Sequence, residues 1–319
     1  MPADAPADVV PRLRRFEERI AQELHSDVAF IEAIASELVG AGGKRLRPTL
    51  AFLAGDILGA DEEAVMTVAL AVELLHSASL LHDDLIDDAT TRRGAAAAFR
   101  RYGNVVSVMS GDFMLARVLG LLARSETAAF TKLMSETAVA ICEGEVLQFQ
   151  MATLETWSAD TYRTIIEGKT AALFAAALEG VAIVAGAPAE ARSALREFGL
   201  AYGRAFQMRD DYLDLLGDAE TLGKPLGGDV REGKATLPVL SLIDDGITEC
   251  VAILRRHAAD AGDVPRMVAL VREFGGDART RAAIHADVGL ALESLTAFRR
   301  TPARTALANL AVAESERVT

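Results

Sequence analysis

Cysteine, proline and tryptophan are scarce in this sequence. Its 319 residues include two cysteines, nine prolines and one tryptophan, and aromatic residues make up 5% of the chain. Cys142 and Cys250 form no CxxC pattern, which argues against a disulfide framework and favours a reducing compartment, so we expect a cytoplasmic protein. Alternating runs of β-branched and aromatic residues are also few, and this argues against a β-sheet fold.

Basic charge is in short supply as well. The chain carries 33 Lys and Arg against 46 Asp and Glu, a net charge of −13. This balance argues against a general nucleic-acid binder and against attraction to anionic lipid. The start of the chain lacks the pattern of a signal peptide. The two longest apolar runs, 64–81 and 171–187, each contain a glutamate, so we interpret both as buried helices and expect no transmembrane segment.

Helical periodicity is what the sequence has in abundance. Apolar residues recur at i, i+3, i+4 and i+7 along nearly every segment, which predicts an all-α fold. We expect a disordered segment at 1–8 and a single-domain bundle of about ten or more helices over 9–319. The predicted helices cover 9–24, 27–39, a segment starting near 48, 61–88, 105–123, 127–151, 159–168, 169–186, 189–217 and, after a glycine-rich loop at 217–233, further segments to about 315.

Two of these apolar helices end in the same acidic pattern, DDxxD. The first pattern contains Asp83, Asp84 and Asp87, and the second contains the three carboxylates of the sequence RDDYLD, Asp210, Asp211 and Asp214. An i, i+4 spacing places two carboxylates on one helix face, where like charges repel unless a cation compensates them. Mg²⁺ prefers such oxygen ligands, and facing helices of a bundle commonly build metal sites.

Cations recur beside these clusters. They are Lys44, Arg45 and Arg47 in GGKRLRP, Arg92 and Arg93 after the first cluster, Lys169 followed by Thr170, and Lys224 and Lys234 after the second cluster. Each alone is typical of a solvated surface, but their recurrence beside carboxylates and glycines indicates a metal–diphosphate site. His76 lies two helical turns before Asp83 and is equally compatible with a phosphate donor and with a core histidine, whereas His82 favours packing.

The ordered motifs GGKRLRP, ELLHSASLLHDDLIDDATTRRG, GKTAALF, FQMRDDYLD and GKPLGGDVREGKATLP span about residues 40–240. In these motifs the chain resembles the trans-isoprenyl (polyprenyl) diphosphate synthases. The resemblance implies the isoprenoid synthase fold around a central cavity, a homodimer, and up to three Mg²⁺ ions. It also implies that isopentenyl diphosphate attacks an ionised allylic diphosphate, head to tail and in trans geometry, and that a proton is then lost.

The same resemblance assigns roles to residues. Direct metal ligands would be Asp83, Asp87 and Asp210, with Asp84, Asp211 and Asp214 acting through bound water. The diphosphate of isopentenyl diphosphate would be held by Lys44, Arg47, His76 and Arg93. The allylic substrate would be surrounded by Arg92, Lys169, Thr170, Gln207, Lys224 and Lys234. The catalytic set would be Asp83, Asp84, Asp87, Lys169, Asp210, Asp211 and Lys224.

Product length would depend on what closes the tunnel below the first cluster. Ala78 and Ser79 are small, which favours a medium- or long-chain product, and Leu75, Leu121, Leu122 and Met134 are further candidates for the tunnel wall and floor. A short-chain farnesyl or geranylgeranyl diphosphate synthase is the alternative, followed by a class I terpene cyclase and a non-catalytic synthase subunit. Arg209 replaces an apolar residue common in the family, and the C-terminal AESERVT is expected to have no role in binding phosphate.

Overall fold

The protein is described by a computed structural model over residues 9–40, 43–87, 91–92, 95–219, 225–316 and Val318. The described chain is helical almost throughout, and this confirms the all-α prediction. The α-helices, numbered α1 to α16, are Val10–Leu24, Ala29–Gly40, Leu46–Leu58, Glu62–Ile86, Ala98–Tyr102, Asn104–Ser125, Ala128–Thr153, Ala159–Ile166, Ala172–Val184, Ala189–Leu216, Gly228–Arg231, Leu237–Asp244, Thr248–Arg255, Asp263–Glu273, Gly276–Ser294 and Pro302–Glu316.

Local structure departs from the predicted elements in three places. Glu167–Ala171 is a π-helical turn that joins α8 to α9, where two successive α-helices were expected. Thr91–Arg92 and Ala95–Ala96 form a two-residue antiparallel strand pair, where the sequence predicts no strand. The single helical turn α11 lies inside the predicted glycine-rich loop at 217–233. These are short features that close contacts create, and hydrophobic periodicity does not report them.

The described chain divides into two compact units. The first consists of Met1–Ala138, Ala176–Leu195 and Phe298–Ala306, and the second of Val139–Ala175, Arg196–Ala297 and Leu307–Thr319. The expectation of one domain stays a prediction. The expected disorder at 1–8 lies outside the described residues.

The first unit is organised around α4. Its N-cap Asp61 accepts a hydrogen bond from the backbone N–H of Ala64 at 3.0 Å, which starts the helix. From Val68 to Leu75 every residue of α4 is buried, as expected for a helix that is apolar on all faces. α1, by contrast, buries a single stripe that runs from Leu13 to Leu24.

The second unit has a core of its own. It contains Met208 and Leu215 of α10 together with Val239, Leu240 and Ile253 of the following helices, all almost fully buried. Tyr162 of α8 belongs to the same cluster. This core packs the end of α10, which carries the second acidic pattern, against α8, α12 and α13.

Two described helices, α4 and α6, are long and apolar enough to cross a membrane by length and hydropathy alone. The apolar window of α4 is 72% buried inside the protein, as in the core helix of a soluble protein, whereas the window of α6 is 39% buried. Neither observation identifies a membrane span. The run at 171–187 was predicted to be a buried helix, and α9, which occupies most of it, is largely buried.

Candidate active site

The first acidic cluster lies at the C-terminal end of α4. The backbone N–H of Asp87 donates to the carbonyl oxygen of Asp83 at 2.9 Å, so helical geometry continues one residue past Ile86. Asp83 and Asp87 therefore leave the helix on the same side, as the i, i+4 spacing predicted. Asp87 is exposed, Asp83 is half-buried and Asp84 is 3% exposed. The two outer carboxylates are thus accessible to a cation from solvent.

The three cations of GGKRLRP have different environments. Arg45 is buried, and its guanidinium forms ion pairs with Glu17 and Glu73 at 2.6 and 2.8 Å. Arg45 also has a left-handed backbone, with φ 44°. It is therefore a structural residue, and its grouping with the phosphate-binding candidates was wrong. Lys44 is exposed and Arg47 is half-buried, both in the first unit.

The two histidines of α4 differ as well. Nε2 of His82 lies 3.2 Å from the carbonyl oxygen of Val108 in α6 and 3.6 Å from a carboxylate oxygen of Asp112. A Cβ on Gly111 would lie only 2.3 Å from the same nitrogen, so the glycine permits this close packing of α4 on α6. His82 is thus a packing residue, as expected. His76 is half-buried. Its backbone carbonyl oxygen accepts a hydrogen bond from the Ser79 hydroxyl at 2.9 Å.

The predicted tunnel residues are buried side chains of the first unit. Ala78 is fully buried, and Leu75, Leu121, Leu122 and Met134 are also buried. Ser79 is half-buried. His82, four residues before the end of α4, contacts Val108, four residues after the start of α6. The two helices therefore pack against each other next to the first acidic cluster. Met114, 1% exposed, adds a buried α6 side chain that the sequence did not single out.

The second acidic cluster lies at the end of α10 and has unequal members. Asp210 is exposed. Asp211 is buried and accepts hydrogen bonds from the Tyr162 hydroxyl at 2.6 Å and the Gln207 side-chain amide at 2.8 Å. Asp214 is buried and accepts from the backbone N–H of Asp229 at 3.1 Å, which anchors the turn α11. Only Asp210 presents its carboxylate openly to solvent.

Burial makes two carboxyl groups at the cluster, Asp211 and Asp229, difficult to ionise. It raises the pKa of Asp211 to about 6, against the opposing hydrogen bonds from Tyr162 and Gln207 and with the help of the charges of Asp210 and Asp214. Burial also raises the pKa of Asp229 well above its ordinary value, and the charges of Asp211 and Asp214 add to the effect. Burial is the main cause of both shifts, and the like charges nearby add to it, so a cation bound at this end of α10 would favour the ionised carboxylates.

Lys169 and Thr170 occupy the π-helical turn. Nζ of Lys169 donates to the Gln148 side-chain oxygen at 3.0 Å and forms an ion pair with Glu145. The Thr170 hydroxyl donates to the Gln207 side-chain oxygen at 2.8 Å. Gly144 allows the turn to pack directly on α7, because a Cβ there would lie 2.8 Å from the backbone nitrogen of Lys169. π-Helical turns inside α-helical segments are frequent at functional sites.

A cavity of about 140 Å³ in the second unit brings several predicted site residues together. Its lining includes Lys169, Thr170, Gln207, Asp211 and Lys234. All five were predicted from motifs up to 65 positions apart in sequence, from 169 to 234. Asp229 also lines the cavity, which thus combines two ammonium groups with two carboxyl groups and neutral hydrogen-bonding side chains. This composition is suited to an anion bound together with a cation.

Other predicted residues are placed differently or not described. Arg93 and Lys224 lie outside the described residues, and Arg92 is described only in its backbone. Conversely, the cavity includes Tyr162 and Asp229, which sequence reasoning missed. Asp229 lies in the sequence GGDVREGK. Its position between two glycines and Lys234 could have indicated a site residue. Tyr162 had no comparable signal, because only the packing of α8 on α10 brings it to Asp211.

The donor set fits a hard divalent cation. In the portion of the chain that the structure describes, no group of three or more His, Cys, Asp or Glu side chains is placed to hold one metal ion. The accessible carboxylates, Asp83, Asp87 and Asp210, offer oxygen ligands only. A cation bound at either cluster would complete its shell with water or phosphate oxygens, which is the usual coordination of Mg²⁺ in proteins that bind phosphorylated substrates.

Known proteins resemble the chain along nearly its whole length. The profile of the polyprenyl synthetase family matches residues 28–271. The octaprenyl diphosphate synthase of Escherichia coli K12 is 36% identical over 296 residues, which cover 92% of this chain and 91% of that protein. The all-trans-nonaprenyl-diphosphate synthase (geranyl-diphosphate specific) of Rhodobacter capsulatus is 36% identical, with coverage of 96% and 95%. The crystal structure of a polyprenyl synthase from Caulobacter crescentus CB15, complexed with calcium and isoprenyl diphosphate, has a TM-score of 0.90 and 38% identity, and the match covers 98% of this chain and 96% of that one.

Proposed function

Since this chain belongs to the polyprenyl synthetase family and is a prenyl-transferring enzyme, we propose that it condenses isopentenyl diphosphate with an allylic diphosphate, head to tail and in trans geometry, to give a polyprenyl diphosphate. The observation that carries the proposal is the cavity that places Lys169, Thr170 and Lys234 beside Asp211. Clustered cations next to acidic side chains suit a diphosphate bound together with a metal ion.

We assign the allylic diphosphate to this cavity. Lys169 and Lys234 contribute positive charge, and Thr170 and Gln207 contribute a hydroxyl and an amide. As the bond to the allylic carbon breaks, negative charge grows on the departing diphosphate, and fixed ammonium groups stabilise that charge more strongly than they stabilise the bound substrate. The proton of the condensation product leaves to the departing diphosphate, so the reaction needs no side-chain base.

The metal is proposed to be Mg²⁺, in up to three ions. Asp83, Asp87 and Asp210 would hold it, and its charge would assist departure of the diphosphate. The calcium and isoprenyl diphosphate bound together in the Caulobacter relative support a divalent cation at the substrate. The carboxyl groups of Asp211 and Asp229 in the cavity support the same assignment from this chain's own residues, because a bound cation would compensate their charges.

Isopentenyl diphosphate is assigned to the cations of the first unit. Lys44 is exposed, Arg47 lies in the first turn of α3, and His76 is half-buried on α4. A helix N-terminus favours anions, which adds to the charge of Arg47. Two diphosphates held by separate sets of cations would bring the attacking C=C bond to the allylic carbon as an intramolecular neighbour, the usual advantage of proximity.

We propose a medium- or long-chain product. Ala78 is fully buried and has only a methyl group on the segment of α4 below Asp83, while the larger Met114, Leu121 and Leu122 belong to the buried face of α6. One helical turn spans about 5.4 Å, comparable to one isoprene unit, so each turn of open wall adds room for about one unit. The names of the octaprenyl and nonaprenyl relatives agree with this length.

A homodimer in the cytoplasm completes the proposal. α6 carries an exposed apolar stripe at Val105, Met109 and Leu119, with exposures of 76%, 55% and 66%. The positions between them on the same face, Asp112 and Ala116, include only one charge. Because a two-fold interface uses the same patch on both copies, an antiparallel pair of α6 helices centred near residue 114 would place Met109 opposite the partner's Leu119.

Sedimentation equilibrium of Leu119→Glu should show a shift towards monomer, with Val28→Glu, exposed elsewhere in the first unit, as control. An unchanged dimer in Leu119→Glu would exclude this interface.

The proposed reaction is tested directly by incubating the protein with Mg²⁺, farnesyl diphosphate and labelled isopentenyl diphosphate, followed by chromatography of the products. We expect label in polyprenyl diphosphates longer than geranylgeranyl diphosphate. Products that stop at C20 would contradict the chain-length proposal alone. Absence of any elongated product from folded protein would contradict the proposed reaction.

Ala78→Phe should shorten the product, because the ring would occupy space beside α4 before the first cluster. An unchanged product length would show that Ala78 does not line the product tunnel.

A further inference from the structure

Arg209 is the most buried charged side chain of the second unit, with 1% of its surface exposed. It lies within the second acidic pattern, immediately before Asp210. Its Nε lies 3.1 Å from the Asp210 carboxylate, its Nη2 contacts the same oxygen, and its Nη1 forms an ion pair with Glu314. The guanidinium also stacks on Phe206, 4.5 Å from the ring centroid. Arg209 thus connects two carboxylates of very different accessibility.

Glu314 comes from the C-terminal helix α16. It is 3% exposed, and its second carboxylate oxygen accepts a hydrogen bond from the Tyr202 hydroxyl at 3.1 Å. Both Tyr202 and Arg209 belong to α10, and all four residues of this network lie in the second unit. The C-terminal helix, to which the sequence assigned no role in binding phosphate, is therefore connected through one side chain to a carboxylate of the acidic cluster.

This arrangement matters because Arg209 competes with any metal for Asp210. A guanidinium bonded to a carboxylate oxygen reduces the negative charge that the carboxylate offers to a second cation. A buried guanidinium, however, requires an anionic partner at all times. With Glu314 present, Arg209 keeps such a partner when Asp210 turns towards a cation. Without Glu314, Asp210 would be the remaining carboxylate in this network and would be held by Arg209.

We propose that Glu314 is a positioning residue that acts through Arg209 to make Asp210 available to a divalent cation. The inference rests on the proposed metal site at the second cluster. It assigns the C-terminal helix to control of a metal ligand, and it makes Arg209 the built-in counter-ion of Asp210 when no metal is bound.

The test measures Mn²⁺ binding rather than turnover. Free Mn²⁺ is counted by electron paramagnetic resonance in a reference protein that carries Asp83→Asn and Asp87→Asn, so that bound Mn²⁺ reports the second cluster. In this background Glu314→Gln should raise the dissociation constant for Mn²⁺ about fivefold, the scale of a modest coupling between two sites. Gln keeps an acceptor for Tyr202, so the fold should persist; circular dichroism checks it.

A second variant separates positioning from general damage. Arg209→Met combined with Glu314→Gln removes the competing cation together with its buried partner, and buried ion pairs can often be replaced in this way without loss of stability. This double variant should bind Mn²⁺ at least as tightly as the reference. The proposal is overturned if Glu314→Gln leaves the dissociation constant unchanged or if the double variant binds more weakly than the reference. Absence of Mn²⁺ binding in the reference protein would overturn the proposed metal site itself, and this inference with it.

Discussion

Replacing Asp211 by Asn should make the protein more stable relative to the wild type as the pH rises. Burial raises the pKa of Asp211 from 3.8 to about 6 in the folded state. The folded protein therefore binds this proton more tightly than the unfolded chain does, and ionisation of Asp211 weakens folding. The penalty is absent well below pH 3.8, grows as the pH rises, and is complete above the folded pKa. The full shift corresponds to about 3 kcal/mol.

The measurable part lies between pH 5 and 7.5. Over that interval the penalty from these two pKa values increases by about 1 kcal/mol. Urea unfolding of wild type and Asp211→Asn in metal-free buffer at both pH values should therefore show the variant gaining that amount relative to wild type. The hydroxyl of Tyr162 keeps an acceptor on Asn, whereas the Gln207 amide loses its acceptor. Because that loss is the same at both pH values, the change between them isolates the charge.

Asp245→Asn is the matched control. Its hydrogen bond with Arg279 lowers the pKa of Asp245 below 3.8, so its ionisation contributes stability that is lost only as the pH falls through that lower value. The difference between this variant and wild type should be flat from pH 5 to 7.5. A flat difference for Asp211→Asn as well, or a relative loss of stability at pH 7.5, would refute the reasoning that burial raises the pKa of Asp211 in the folded protein.

Two further predictions concern packing and buried charge. Gly144→Ala should destabilise the folded protein by about 1–3 kcal/mol and slow turnover, because its Cβ would press on the backbone of Lys169. Gly120→Ala is the control: its Cβ would meet only Arg124 at 3.5 Å, so it should stabilise the protein by about 0.5–1 kcal/mol. Equal effects of the two substitutions in thermal melts would contradict this. Arg45→Met should lower the free energy of unfolding in denaturant by about 3–5 kcal/mol, because Glu73 is left buried without its cation. Lys44→Met should instead raise the KM for isopentenyl diphosphate and leave the stability unchanged. A destabilised Lys44→Met or a stable Arg45→Met would contradict these two roles.

Helical periodicity predicted most of the fold, and the family motifs contain several residues that line the cavity. α4 and α10 were predictable because apolar residues recur at helical spacing and each helix ends in a carboxylate pattern. The cavity residues Lys169, Thr170, Gln207 and Lys234 were predictable because they belong to the motifs of the family. Their assembly in one cavity depends on tertiary packing and was implied only by the resemblance.

The rest depends on contacts that no local pattern encodes. The π-helical turn exists where Gly144 and Gly168 let backbones approach, since a Cβ on Gly168 would lie 2.7 Å from the carbonyl oxygen of Ala140. Arg45 is two residues from Arg47 in the same motif, yet it has a left-handed backbone and pairs with the buried Glu73 and the half-buried Glu17. The link from Glu314 to the second acidic pattern spans 105 positions, so sequence order could not indicate it.

The central claim is that the two acidic clusters serve one metal-dependent prenyl transfer. Its most direct test is turnover of labelled isopentenyl diphosphate by Asp83→Ala and by Asp210→Ala, each measured over a range of Mg²⁺ concentrations beside thermal unfolding. Each single substitution should lower turnover by orders of magnitude with little loss of stability, because removing one of several clustered like charges relieves repulsion. Near-normal turnover in either variant, or unfolding that Mg²⁺ does not affect, would contradict a shared catalytic role and indicate a structural one.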